Sequence, residues 1–299
     1  MFVLISTEIP LFVSPDDFGK VKPRVVVDMR DPEEYAEAHI PGAVNLPVDA
    51  FLIAVDSVPF HMPEFDTLVE RISSLGVRQK ESVLIYSSAK LTYHYLNVAA
   101  LYMVLKHLGF KKIYILNGGF EAWKEAGKPV SDRKGLRGRI RLKARPDSSF
   151  LISLDSMLTE VLDSATGNTK LILRKDIHLV DGRIPAYYFG IIAPPFYNRR
   201  GHIPGATSLP FTFFFRKVKG KEGFYYVMAD SALVDSILRP NLDPVRLNVF
   251  YGNTPREAAF FLMLLDYVKY PREKYRLYLN GFPEWSRRED LPVVRYRWE

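Results

Sequence analysis

The segment HIPGAVNLP at residues 39–47 returns as HIPGATSLP at residues 202–210, and this repetition decides the architecture. Three further blocks recur in the same order. VVVDMR (25–30) reappears as HLVDGR (178–183), VLIYS (83–87) as NVFYG (248–252), and YILNGGFEAW (114–123) as YLNGFPEW (278–285). Four ordered matches at similar spacing mean two copies of one domain. The expected division is a first domain at 1–131, a basic linker at 132–150 and a second domain at 151–299.

Each copy alternates strand and helix. Residues 25–28 are a short β-branched run and predict a strand. Asp31, Pro32 and Glu34 then read as N-cap, first helical residue and capping-box partner of a helix. AVNL is a further strand candidate. EFDTLVERISSLG predicts an amphipathic helix with Phe65, Leu68, Val69 and Ile72 on one face and Gly76 just past its end. SVLIY predicts a buried strand and TYHYLNVAALYMVLKHLG a long helix closed by Gly109. KIYIL predicts the next strand, and GGFEAW opens a short helix. The second copy repeats this plan, with SLDSMLTEVL expected as its leading helix and about ten extra residues around APPFYNRR. The pattern implies an α/β fold in which each copy has a mainly parallel sheet flanked by helices. Ligands of such sheets sit beyond the carboxyl ends of the strands, here at the loops after Tyr86 and Tyr251.

Composition excludes several chemistries. With no cysteine, the chain has no disulfide, thiolate metal site or cysteine nucleophile. The longest apolar run, AAFFLMLL, is far short of the roughly 20 residues a membrane helix needs. The first residues lack a basic region and a cleavage site, so a cytoplasmic protein is expected. A single glutamine (Gln79) beside 75 charged residues fits a thermophilic source. The net charge of +7 equals the seven basic residues of RKGLRGRIRLKAR (133–145), which holds no acidic residue. That stretch reads as a solvated linker in which Ile140 and Leu142 pack and the arginines face water. No aromatic residue interleaves with its cations, as single-strand binders require.

The motifs VVVDMRDPEEYAEAHIPGAVNLP, LNGGFEAWKEAGKPV, LVDGR…RRGHIPGATSLP and LYLNGFPEWSRREDLPVV resemble those of the two-domain rhodaneses, the thiosulfate and mercaptopyruvate sulfurtransferases, over nearly the whole chain. The resemblance implies two tandem rhodanese-like domains. It also implies a nucleophilic cysteine after the central strand of the second domain, in a loop whose amides cradle the sulfur as an anion. Here that position is Gly252. Of the cationic positions the family uses to hold its anionic donor, one matches Thr254 and another Tyr187, neither of them charged. Nucleophile and cations are missing together. The replacement has its own logic, since Thr254, Pro255 and Glu257 form a capping box that starts a helix.

The first domain's equivalent position is Ser87. His94 and the upstream Asp-x-Arg offer ingredients of a triad, but no Gly-x-Ser-x-Gly elbow accompanies them, and a hydroxyl bonding to its own loop is the expected role. Asp28 with Arg30, and Asp181 with Arg183, read as structural ion pairs beneath the loops. His39 and His202 read as turn residues, and six histidines without paired spacing give no metal motif. Gly118 and Gly119 read as a strand-to-helix turn. No catalytic residue, metal or cofactor is expected. The degenerate loop, with Gly252, Asn253, Thr254, Arg256, Arg183 and Tyr187, is the candidate binding surface for a protein or a small anion. The alternatives are a sulfurtransferase acting by an unrecognised route and nucleic-acid binding through the basic linker.

Overall fold

The computed structural model describes residues 9–162 and 167–298. Its first half holds a five-stranded parallel sheet in the order Phe12–Val13, Lys112–Leu116, Ser82–Tyr86, Val25–Asp28 and Val44–Asn45. The second half holds four parallel strands in the order Thr207–Ser208, Ile177–Asp181, Leu247–Tyr251 and Tyr275–Leu277. A parallel bridge from Leu151 to Leu277 takes the place that Phe12–Val13 holds in the first sheet. Strands covered on both faces read as unbroken apolar runs, and every residue of Val25–Asp28 is buried.

The predicted elements around these sheets form with small shifts. The first helix is Pro32–Glu37, although the Asp31 side chain makes no capping hydrogen bond. The next is Phe65–Ser73, and the long helix begins at His94 rather than Thr92 and ends at His107. One expectation fails. SLDSMLTEVL is not a helix: a single turn, Leu154–Met157, passes into the strand Leu158–Leu162, which pairs antiparallel with Thr169–Leu173. Ser153 does cap the Ser156 amide, but Thr159 to Leu162 are exposed, so a continued helix would bury no apolar face. The β-branched Thr159 and Val161 favour the extended form instead.

Two features tie the halves together. Helices His94–His107 and Pro255–Tyr267 are apolar on nearly every side and meet inside one hydrophobic core that draws on both halves. Each half also sends a hairpin across to the other. Strands Ile53–Val55 and Val58–His61 reach the second half, where the Arg256 guanidinium lies 3.5 Å from the Phe60 ring centre and Arg287 donates to the Asp56 carbonyl at 2.7 Å. Strands Phe215–Gly220 and Gly223–Met228 reach back to the first half. There Tyr226 donates its amide to Ala89 at 2.8 Å, and the Met228 amide and carbonyl bond to the Asn117 side chain at 2.7 and 3.1 Å.

The basic stretch runs along the first half. Leu142 is buried and Ile140 packs against the core, while all of its basic side chains except the half-buried Arg137 are exposed. Arg139 pairs with Glu70 at 2.8 Å.

Candidate functional site

Both strand-end loops are built on the same polar foundation. Asp28 at the end of its strand takes the Arg30 guanidinium at 2.6 Å, and the Tyr86 hydroxyl donates to the same carboxylate at 2.5 Å. Asp181 and Arg183 repeat the pair at 2.5 Å, both fully buried. The guanidiniums lie 3.8 Å from the Phe120 ring centre and 4.3 Å from that of Phe282. Burial alone would lower Arg183; the Asp181 carboxylate, with the nearby Tyr197, reverses this and holds it well above its ordinary value. Both arginines are held in buried ion pairs beneath the loops, and Arg183, a candidate binding residue, exposes no side chain to a ligand. His39 and His202 stack on Tyr35 and Tyr188 at 3.9 and 3.7 Å and bond to those residues' carbonyls at 2.7 and 2.9 Å.

The geometry also fixes which loop positions correspond. The Phe120 amide donates to the Ser87 carbonyl at 3.0 Å, and the Phe282 amide donates to the Gly252 carbonyl at 3.1 Å. The preceding Gly119 and Gly281 have φ of +55° and +57°, and a side chain on either would lie 2.2 or 2.4 Å from that carbonyl oxygen. Ser87 and Gly252 are thus the same place in two copies.

At Gly252 the space for a side chain is taken. A Cβ there would lie 2.4 Å from the Glu257 Cβ and 3.0 Å from its Cγ and Cδ. Glu257, itself buried, curls back over the loop as the capping box requires: its carboxylate accepts the Thr254 amide at 3.1 Å and the Thr254 hydroxyl at 2.6 Å. A negative charge now occupies the loop and consumes one of its amides. The neighbouring Asn253 is buried and accepts a hydrogen bond from the Tyr197 hydroxyl, which accepts in turn from Arg183 at 3.0 Å. Sequence reasoning missed Tyr197, which lies in the extra segment of the second copy.

The remaining candidates part company. Arg256 points to the first half, stacked on Phe60 and donating to the Asn97 side chain at 2.5 Å. Burial lowers its pKa, against the opposing Glu257 and Asp49 carboxylates. Tyr187 is half-buried on the turn Pro185–Tyr188, close to Tyr93 of the other half. In the first copy, Glu121 fills the loop, accepting the Ala89 amide at 2.6 Å and the Ser88 hydroxyl at 3.0 Å. Ser87 is buried, and no hydrogen bond joins it to His94, whose Nδ1 is buried without a partner. The ingredients of a triad are present but not connected. Among the described residues no group of three acidic or histidine side chains could hold a metal.

Residues 15–126 match the family model described as a rhodanese-like domain. The chain is 27% identical over 267 residues to the 3-mercaptopyruvate sulfurtransferase of Escherichia coli, covering 87% of this chain and 85% of that protein. It superposes on the anaerobic ergothioneine biosynthesis enzyme of Chlorobium limicola with a TM-score of 0.75 at 16% identity, over 96% of this chain and 70% of the other. It superposes on YnjE with a TM-score of 0.70 at 19% identity, over 96% and 69%. These two superpositions establish the fold that the halves share with proteins of known structure. Among the described residues no helix is long and apolar enough to cross a membrane.

Proposed function

We propose, from the match of residues 15–126 to the rhodanese-like domain and the absence of any cysteine, that the chain is a non-catalytic member of that family that works by binding. Sulfur transfer in its relatives' named activities needs an atom that can carry a sulfane sulfur, and no thiol is present to do so. The observation that carries the reading is Glu257. Its side chain fills the volume a nucleophile at Gly252 would need and places a carboxylate where an anionic sulfur donor would approach. Donor and loop would repel, with neither Thr254 nor Tyr187 supplying a countercharge. A small anion is disfavoured as the ligand of this loop for the same reason, and because Asn253 and Thr254 are buried, the protein partner proposed would dock on the surface around the loop rather than in it.

Intact mass spectrometry after incubation with thiosulfate or 3-mercaptopyruvate tests the reading. An unchanged mass is expected. A stable gain of one sulfur atom would overturn it.

A further inference from the structure

Away from the degenerate loops, one exposed stretch alternates cations and aromatic rings along the chain itself. Residues 295–298 read Arg-Tyr-Arg-Trp. Tyr296 is 69% exposed and Trp298 66% exposed, yet both are anchored. The segment is fixed at one end by paired amide and carbonyl bonds between Val294 and His202, at 2.9 and 3.0 Å. Further along, the Tyr296 amide donates to the Phe189 carbonyl at 3.1 Å, and the Trp298 ring meets Phe189 edge-on at 4.4 Å. Tyr296 adopts φ of +61°, a left-handed conformation costly for a side chain of its size. The Arg295 guanidinium sits 5.1 Å from the centre of the Tyr296 ring and donates to its hydroxyl at 3.1 Å.

Beside this segment lies a groove of about 380 Å³ lined by Asn198, Arg199, Arg200, Val293 and Arg295. Arg199 is consumed by four backbone carbonyls at 2.6 to 3.3 Å, which fixes the groove's wall. Arg200 and Arg295 are exposed on its rim. A rigid wall, rim cations and exposed rings held in place match what a flexible polyanion with stackable bases demands. Cations take the phosphates, and ring faces take the bases without regard to sequence. The 133–145 stretch has the charge but not the rings.

We propose that Arg200, Arg295, Tyr296 and Trp298 form a binding face for single-stranded nucleic acid. The proposal is independent of the sulfur chemistry, because none of these residues belongs to either strand-end loop.

The molecule supplies its own probe. Of its three tryptophans, Trp123 and Trp285 are buried and only Trp298 is exposed. Titration with oligouridine or oligodeoxyuridine at low salt should quench tryptophan fluorescence saturably, and the ratio of the two affinities identifies the preferred sugar. Heparin, which has charge but no bases, should bind without that quench. Trp298→Ala should weaken oligonucleotide binding, read by fluorescence anisotropy of labelled strand, about fivefold or more. Arg295→Ala should reduce the slope of log affinity against log salt by about 0.7. Arg200→Glu, a change to an exposed side chain that makes none of the anchoring bonds, should weaken binding in parallel, and thermal melts of all three variants confirm folding. Absence of a saturable quench at low salt would overturn the proposal. So would binding that survives Trp298→Ala and Arg200→Glu but is lost when Arg137, Arg139 and Arg141 are replaced by alanine.

Discussion

Gly252 has no room for a side chain because Glu257 fills the space beside it. Gly252→Cys would set its Cβ against the Glu257 Cβ, which lies near the backbone and cannot swing aside as a side-chain tip could. Overpacking of this kind costs about 1–3 kcal/mol. The single variant should therefore unfold at lower urea than the parent and turn over thiosulfate negligibly. Adding Glu257→Ala should recover part of the loss, tempered by the weakened helix cap, and make the new thiol react faster with alkylating agents. Equal urea midpoints for parent and Gly252→Cys would refute the steric account. The sequence revealed that Thr254, Pro255 and Glu257 start a helix, because capping is a local rule. It did not reveal that the same carboxylate fills the glycine's vacancy, because that depends on how tightly the chain turns between residues 252 and 257.

Among the elements, the crossing hairpins carry the features least legible in advance. Their strands are mostly exposed or half-buried and lack a clean alternation, so periodicity gave no sign of them. The 154–162 segment misleads for the opposite reason: its start reads as a helix, but Thr159 and Val161 favour the extended form and no apolar surface waits for a helix there. The first hairpin also brings a titratable group to the junction. His61 sits in a small cavity with Asp56, Glu284 and Arg287. Burial lowers its pKa below the ordinary 6.5, with Asp56 and Glu284 opposing and Arg287 assisting. Burial likewise lowers His94, against Glu121, Glu34 and Asp31. Below pH 6.5 the unfolded chain then binds more protons than the folded one, so stability falls as the pH drops from 6.5 towards the folded-state values. Urea melts across this range should show the loss, and His61→Asn with His94→Asn should flatten it. An unchanged slope in the double variant would assign the dependence to other groups.

At the scale of the whole molecule, the repeated blocks are plain in the sequence, whereas the joining of the two halves is not. Repeated blocks report what each copy is built from. They do not say that the apolar faces of helices His94–His107 and Pro255–Tyr267 are spent on each other. The boundaries at 131 and 151 remain a proposal, and they are divisions of sequence rather than of stability. With one core drawn from both halves, calorimetry should record a single transition whose calorimetric and van't Hoff enthalpies agree. Two resolved transitions would mean that the shared core contributes less than the two sheets do separately.

That shared core has a consequence for synthesis. Roughly 150 residues separate the end of helix His94–His107 from the start of the helix that covers it. At about 5–20 residues per second, the ribosome needs roughly 7–30 s to make that distance. For that interval the earlier helix has left the exit tunnel while its cover does not yet exist. The apolar surface that unites the finished protein is then open to any chain or chaperone nearby, so the yield of soluble protein should follow translation speed through residues 108–267.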